Sequence, residues 1–298
     1  MHIRKYPLSP IISVSMSPAD VVSWDNCHRQ LWYEQVLRVR VRYPPAERIF
    51  DVCVEDAVHA YLLARTLGRR PDPRELFVHR WREALTEHTP SYSLHQSAER
   101  FERTGIELMC RLPNAWERSG LSVAMNVHQE PIIQRALRAP FGRRGHIELE
   151  LQGVAGLVVD SGEKGLAVLE VATVHSPHSA RFARRSDRLT GAQWLVDANR
   201  HPGDPHLSRL GFWDFIHTRS GTDIAVPLFV DSRPVVELAE YRDKVWWMTE
   251  DILRYRFART PRWQFNTPCV RCVFADHCLY QDATGLLFPS EPVIAVIA

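Results

Sequence analysis

The sequence has few lysines, little net charge and no long apolar run. Only three of its 37 basic residues are lysines, and the rest are arginines, which is typical of a GC-rich genome and also suits phosphate recognition. The formal net charge of +2 does not by itself indicate a nucleic-acid-binding protein. No apolar stretch reaches the length of about 18 residues that a membrane-spanning helix needs. The N-terminal segment also lacks the apolar region and cleavage site of a secretion signal, which predicts a cytoplasmic protein.

The chain also lacks internal repeats and low-complexity segments. Its hydrophobic pattern changes once, near residue 120. Helical periodicity dominates before that point, whereas alternating and β-branched residues dominate after it. The pattern predicts an α/β fold with a central β-hairpin around the turn DSGEKG. The predicted helices cover residues 17–38, 46–67, 77–87, 97–112, 188–198 and 235–257, and the predicted strands cover 147–159, 166–174, 209–217 and 224–230. Trp246 and Trp247 in the last helix are predicted core residues.

Six cysteines are present, and four of them form a pattern that indicates metal chemistry. The candidate ligands are Cys27 near the N-terminus and the C-x2-C-x5-C set Cys269, Cys272 and Cys278. Such thiolates bind an iron–sulfur cluster, bind zinc or form disulfides, and reduced cytoplasmic thiols favour the first two. A zinc site completed by His28 or His277 is the alternative to a cluster. The other two cysteines, Cys53 and Cys110, lie among apolar neighbours and are predicted core residues.

Several segments, in order along the chain, resemble the PD-(D/E)XK nuclease superfamily, in its RecB-like branch with an iron–sulfur cluster. That branch includes CRISPR-associated RecB-like exonucleases and the nuclease domains of AddB-type helicase–nucleases. The matching segments cover roughly residues 15 to 280 and are the helix with Cys27, FDVCVEDAVHAYL with His59, the hairpin strands GVAGLVV and LEVAT, GAQWLVDA with Gln193, and the terminal cysteine loop.

The resemblance implies a nuclease-like mixed sheet flanked by helices, with a helical lobe tied to the C-terminus by a 4Fe-4S cluster. It implies one domain over residues 1–298, composed of a helical lobe (15–120), a sheet core with the hairpin (121–260), and a cluster loop and tail (261–298).

The family's catalytic residues are only partly present. In the family, an Asp on the first hairpin strand, a Glu on the second and a helical His bind Mg²⁺ or Mn²⁺, and a Lys two residues after the Glu stabilises the developing phosphate charge. In this chain the Asp position is Gly156 and the Lys position is Ala172. The resemblance therefore implies a remnant catalytic site of Glu170, His59 and Gln193, with His59 and Glu170 as the remaining metal ligands.

Other side chains are candidates to replace the missing ones. Asp160 lies four residues beyond Gly156 on the same strand, about 13 Å away, which is too far for the same metal. Lys164 lies in the hairpin turn. Asp197 or His175 would have to enter the site from a neighbouring element.

An arginine cluster follows the second hairpin strand, in the sequence RFARRSDR. Its members are Arg181, Arg184, Arg185 and Arg188. In the resembling family this region lies beside the substrate groove, and each arginine can neutralise a phosphate. A solvated charged surface is the alternative interpretation.

The sequence thus predicts a pseudo-nuclease: a RecB-like protein that binds DNA or RNA, or scaffolds a nucleoprotein complex, in prokaryotic antiviral defence or DNA processing. One alternative is an active Mg²⁺- or Mn²⁺-dependent DNA nuclease with a rearranged site. Another is a protein–protein scaffold that does not bind nucleic acid. The expected cofactor is a 4Fe-4S cluster, with zinc as the alternative. Protein partners in a multi-subunit complex are expected, and a membrane is not.

Overall fold

The N-terminal part of the chain is mostly helical, as the periodicity predicts. The computed structural model describes residues 11–204, 206–259 and 267–289. The first elements are β1 (Ile12–Met16), α1 (Pro18–Asn26), α2 (His28–Leu31), a π-helical turn (Trp32–Val36), β2 (Arg40–Val41), α3 (Ala46–Thr66), α4 (Pro73–Glu87) and α5 (Ala98–Ser119).

The predicted helix over residues 17–38 is divided into shorter pieces. Ser17 and Asp20 form a capping box that starts α1, in which each side chain accepts a hydrogen bond from the backbone N–H of the other residue. Cys27 has an extended backbone (φ −166°, ψ 116°) and therefore separates α1 from α2. The break places Cys27 at a helix junction.

The sheet elements and their helices follow. They are β3 (Ser122–Val123), β4 (Ile133–Arg144), β5 (Ile147–Asp160), β6 (Leu166–Val174), α6 (Ala180–Arg185), α7 (Asp187–Ala198), β7 (Leu207–His217), β8 (Thr222–Ile224), β9 (Leu228–Asp231), α8 (Val235–Leu253), a 3₁₀ turn (Pro268–Arg271), α9 (Ala275–Tyr280) and β10 (Leu286–Leu287). The single strand predicted over 224–230 is wrong: Pro227 has no N–H to donate to a ladder, and the segment divides into β8 and β9.

In the described residues, eight strands form one mixed sheet in the order β1-β5-β6-β7-β8, with β3 and β4 also paired to β5 and β9 paired to β7. The predicted hairpin is present as β5 and β6. These two strands pair only near their turn, from Asp160↔Leu166 to Leu157↔Leu169. Beyond that point β5 pairs with β4 and β1, whereas β6 pairs in parallel with β7. The two hairpin strands therefore diverge at residues 156 and 170.

Helices cover the sheet and bury its apolar side chains. α3, α4 and α5 pack with the sheet around Phe50, Trp81 and Trp213, whereas α6 and α7 cover a second apolar cluster. A third cluster joins α1, α7 and α8 to β1, β4 and β5. The α/β fold with a mixed sheet flanked by helices is thus confirmed.

Two predicted core residues lie at the surface. Cys53 is buried as predicted, but Cys110 is exposed on α5. Trp246 is buried, with 2% of its surface exposed, but Trp247 is 65% exposed. Successive residues of a helix point in directions about 100° apart, so a core on one side of α8 buries only one of two adjacent tryptophans.

A small two-stranded sheet connects a segment near the N-terminus with one near the C-terminus. β10 pairs antiparallel with β2 through Leu286↔Val41 and Leu287↔Arg40. Beneath it, Tyr33 and Phe274 pack with ring centroids 5.2 Å apart. Among the described residues, no helix is both long enough and apolar enough to cross a membrane.

Candidate functional site

The candidate site lies where β5 and β6 diverge. The last paired residues on this side are Leu157 and Leu169, so Gly156 and Glu170 are the next pair in register. Only 5% of the Glu170 surface is exposed. The fold therefore places a buried carboxylate opposite a glycine at the edge of an opening in the sheet.

Glu170 forms an ion pair with Arg188, the second residue of α7. The Nη2 atom of Arg188 lies 2.6 Å from Oε2 of Glu170. The arginine side chain is 47% exposed and the glutamate side chain is 6% exposed, so the guanidinium reaches a buried carboxylate from the solvent side. The Glu170 carboxylate raises the pKa of Arg188, which keeps the guanidinium charged.

Two side chains of α3, Glu55 and His59, approach Gly156. A Cβ atom at Gly156 would lie 3.6 Å from Nε2 and Cε1 of His59 and 3.9 Å from Oε1 of Glu55. These are ordinary contact distances, so the backbone at Gly156 has room for a methyl group. A longer acidic side chain at this position would meet the Glu55 carboxylate and the His59 ring.

Glu55, His59, Glu170 and Arg188 are close enough to influence one another's charge state. Burial raises the pKa of Glu55 to about 7, with a further increase from Glu170 and an opposing effect of Arg188. Burial also lowers the pKa of His59 to about 4, and the positive charge of Arg188 lowers it further. His59 is 1% exposed, and neither ring nitrogen has a hydrogen-bond partner in the described structure. The pocket thus holds a neutral imidazole with an unused nitrogen lone pair.

The residues as placed do not fit a divalent metal. Across residues 11–204, 206–259 and 267–289, no group of three or more His, Cys, Asp or Glu side chains is arranged to hold a metal ion. At the hairpin, the cation in contact with Glu170 is the Arg188 guanidinium, so the chain itself neutralises this carboxylate.

Gln193, the predicted third catalytic residue, is hydrogen-bonded to the segment that precedes α8. Its Oε1 accepts a hydrogen bond from the backbone N–H of Arg233 at 2.7 Å, and its Nε2 donates to the carbonyl of Arg233 at 3.2 Å. Nε2 also lies 3.3 Å from Oδ2 of Asp197. In this arrangement Gln193 holds the segment that precedes α8, and Asp197 is occupied with the same network.

Asp160 and His175, which were considered as replacements for the missing catalytic residues, are hydrogen-bonded elsewhere. Asp160 accepts a hydrogen bond from the N–H of Gly162 in the hairpin turn. The Nδ1 atom of His175 lies 2.8 Å from the carbonyl of His217. Ala172 is partly buried against the α6–α7 side of the sheet. The residues that supplement Glu170 are instead Glu55 and Arg188.

A groove of about 590 Å³ continues from the end of β6. Asp51 on α3 accepts a hydrogen bond from Thr173 there, and burial raises the pKa of Asp51 to about 6. His178 contacts the buried Asp214 through both its Nδ1 atom (2.7 Å) and its backbone N–H (2.6 Å). This pair fixes the loop after β6 against β7.

The predicted arginine cluster divides into two parts. Arg181, Arg184 and Arg185 are exposed on α6. Arg188 belongs to α7 and contacts Glu170. The first three lie on the helix whose Phe182 lines the groove, whereas the partly exposed Arg188 is engaged by Glu170.

The four candidate cluster cysteines share one neighbourhood. Burial raises the pKa of Cys272 to about 11, and the nearby thiols of Cys27, Cys269 and Cys278 raise it further. No disulfide joins any of the six cysteines, all of which lie in the described part of the chain. The chemistry of four thiols suits an iron–sulfur cluster or zinc, although within the described residues their side chains are not in a ligating arrangement.

The two histidines considered as zinc ligands pack against aromatic rings. His28 stacks on Trp24 with ring centroids 3.6 Å apart, and His277 lies edge-on to Tyr33 at 5.5 Å. His277 keeps a buried Nδ1 atom with no hydrogen-bond partner in the described structure.

The sequence contains a signal for Glu55 that the hairpin motif does not include. Glu55 precedes His59 by four residues on α3, and residues four apart lie on the same face of a helix. This spacing alone predicts that Glu55 and His59 lie together on one face of α3. The contact between Arg188 and Glu170 has no such signal, because it depends on how α7 packs on the sheet.

Comparisons with known proteins found no family and no named relative for this chain. No family model matches the chain. No curated protein matches it. Among solved structures, the one described as the crystal structure of SSO0001 is similar with a TM-score of 0.39 and 13% identity, over 89% of this chain and 85% of that one. A similarity of this degree carries no argument about function.

Proposed function

We propose that this chain is a catalytically impaired RecB-like nuclease-fold protein that binds nucleic acid within a prokaryotic defence or DNA-processing complex. The observation that supports impairment is the ion pair between Glu170 and Arg188, together with Gly156 and Ala172 at the positions of the family's Asp and Lys. A metal-dependent nuclease needs two carboxylates open to the ion. Here the remaining strand carboxylate already has a cation.

The basic surface of α6 supports nucleic-acid binding. Arg181, Arg184 and Arg185 are exposed on α6, the helix whose Phe182 lines the groove after β6. Arginines that contact phosphates release counterions, so binding through them weakens steeply with salt. This surface distinguishes the proposal from a scaffold that binds only protein.

An assay with labelled single-stranded and double-stranded DNA and RNA tests the proposal. With Mg²⁺ or Mn²⁺ present we expect binding without cleavage, and we expect the Arg184→Gln/Arg185→Gln variant to weaken binding about 10-fold or more. The matched control is Arg111→Gln/Arg118→Gln, which removes two exposed arginines from α5. Absence of binding to every nucleic acid would favour the protein scaffold.

An active nuclease with a rearranged site is the second candidate. The approach of Glu55 to the space beside Gly156 favours it, because this carboxylate stands near where the family's strand Asp would be. Cleavage that depends on Mn²⁺ and is abolished by Glu170→Ala would replace the first proposal with this one.

We further propose that Cys27, Cys269, Cys272 and Cys278 hold a 4Fe-4S cluster with a structural role. The effect of the other three thiols on the pKa of Cys272 supports this proposal. When bound, the cluster would link the α1–α2 junction to the C-terminal loop. An anaerobic preparation should absorb near about 400 nm and lose this band in Cys272→Ser but not in Cys110→Ser. Colourless protein with one equivalent of zinc would contradict it.

A further inference from the structure

One aromatic side chain of the groove after β6 is exposed although its ring belongs to a packed aromatic cluster. Phe182 lies on α6, lines the groove and is 52% exposed. A single exposed apolar side chain is common on protein surfaces. The exposure of Phe182 becomes informative through the rings that support it and through the groups that surround it.

Two further rings connect Phe182 to the core. The His178 ring stacks on Phe182 with ring centroids 4.7 Å apart and an interplanar angle of 22°. His178 also stacks on Phe212, at 4.3 Å and 24°. Phe212 is 5% exposed and belongs to the apolar cluster beneath α6 and α7. The Phe182 ring is therefore the outer member of a stack that begins in the core.

Polar contacts hold this stack in place. The buried Asp214 carboxylate accepts a hydrogen bond from the backbone N–H of His178 at 2.6 Å and lies 2.7 Å from its Nδ1 atom. The Ser179 hydroxyl caps α6 and accepts a hydrogen bond from the backbone N–H of Phe182 at 3.2 Å. Because the segment is already ordered, a ligand that stacks on the exposed ring loses little affinity to ordering of the protein.

The groups around the ring are cationic and polar. Arg181, Arg184 and Arg185 are exposed on the same helix. Ser176 and Ser179 line the groove and bring hydroxyl groups to it. An aromatic ring suits the face of a base, arginines suit phosphates, and hydroxyls suit the polar edge of a base. The chemistry of the groove is thus complementary to a nucleotide.

We propose that Phe182 is a stacking platform for an unpaired nucleobase, whose phosphate is held by the arginines of α6. In the interior of a duplex each base stacks on its neighbours, so its face is not available to a side chain. The unpaired base comes either from a nucleic-acid strand or from a free nucleotide. For a strand, the inference rests on the proposed nucleic-acid binding and adds the chemical group that the groove receives.

Fluorescence anisotropy of the full chain with a labelled single strand and a blunt duplex tests the platform. Phe182→Leu keeps an apolar side chain but removes the aromatic face. It should weaken single-strand binding at least about fivefold and change duplex binding by less than about twofold. Phe182→Tyr keeps the ring and should retain single-strand affinity. An equal loss on both nucleic acids, or no loss on the single strand, would overturn the proposal.

Two further measurements accompany the anisotropy. The matched control is Trp247→Leu, which removes a 65% exposed aromatic side chain from α8 and should leave binding unchanged. Photo-crosslinking then locates the contact. Single strands that carry 5-iodouracil should crosslink to Phe182 in the parent protein, as mapped by mass spectrometry, and lose this crosslink in Phe182→Leu. Crosslinks that occur only on other elements would refute the assignment.

A mononucleotide separates the two sources of the base and separates this inference from the proposed function. Calorimetric binding of adenosine monophosphate that Phe182→Leu abolishes would identify a free nucleotide, whereas binding of strands alone would identify a nucleic acid. If the parent and Phe182→Leu bind strands equally, stacking on Phe182 is refuted and the proposed function stands. If the parent binds neither strands nor the mononucleotide, both are refuted.

Discussion

At the scale of single residues, the site is defined by the charged side chains around Glu170. Positions 156 and 172 of the hairpin are Gly and Ala, and the neighbouring helices bring Glu55 and Arg188 to the site. This arrangement is not evident from the hairpin sequence alone.

Gly156 and Gly211 differ in whether their surroundings leave room for a Cβ atom. Gly156→Ala should raise stability by about 0.4–1 kcal/mol, because its Cβ has only ordinary contacts and the unfolded chain loses freedom. Gly211→Ala should destabilise by at least about 1–3 kcal/mol, since its Cβ would overlap the carbonyl oxygen of Leu228. Urea unfolding of the two variants measures both, and equal effects would contradict the contact analysis.

Asp51 should make stability depend on pH. Its pKa rises from 3.8 to about 6 because neighbouring groups remove part of its hydration, so the folded state holds its proton more strongly than the unfolded state does. Stability from this group is therefore present below pH 3.8 and is lost as the pH rises to about 6.

The Asp51→Asn variant isolates that effect. Above pH 6 it should be more stable than the parent, by well under the full effect of the pKa shift because solvent screens the exposed Asp51 carboxylate, and the difference should vanish near pH 4. Asparagine keeps an oxygen for Thr173, so the hydrogen bond is preserved. Denaturant melts across this pH range provide the measurement, and a difference that is constant with pH would exclude Asp51 as its source.

At the scale of elements, Gln193 joins α7 to the segment before α8. Its amide pairs with both backbone polar groups of Arg233, which is 6% exposed. A buried N–H and C=O need these partners because no water replaces them. The resemblance assigned Gln193 to catalysis, and its hydrogen bonds show a direct role in holding this junction.

Gln193→Ala should therefore destabilise the fold by about 2–4 kcal/mol. The matched control is Gln134→Ala, which removes an exposed amide with one hydrogen bond to Asp56 and should cost less than about 0.5 kcal/mol. Thermal and urea unfolding compare the two. Equal, small losses would show that the Arg233 backbone finds other partners.

At the scale of the whole molecule, the described contacts between the C-terminal loop and the N-terminal segment include the β2–β10 ladder of two residue pairs and the packing of Tyr33 against Phe274 and His277. A metal centre bound by the four thiols would add to these contacts and hold the loop more firmly.

On the proposed cluster, Cys272→Ser should lower the Tm by at least about 5 °C relative to Cys110→Ser. Limited proteolysis should then cut first within residues 267–289 and leave the sheet core intact. If both serine variants have the same Tm and the same protease resistance, the thiols do not attach the C-terminal loop, and this result counts against the cluster proposal.

The sequence predicts those parts of the fold that have a local signature. α3 and the β5–β6 hairpin follow from periodicity and turn residues, and both are where they were expected. The short strand β1 was not predicted, because its five residues, although they alternate between apolar and polar, form too short a pattern and its partner is distant in sequence. The ion pair of Arg188 with Glu170 was missed for the same reason: its geometry is set by packing between segments.

The central position of β5 has a consequence for synthesis on the ribosome. β1 is complete at Met16, but the first residue with which it pairs, Ile147, is 131 positions later in the chain. At the usual pace of translation that interval is on the order of ten seconds. During it Ile12, Val14 and Met16 form an apolar strand without a partner, which is the kind of segment that nascent-chain chaperones cover. We therefore expect the yield of folded protein to respond to the elongation rate across residues 17–146 more than to that after β5.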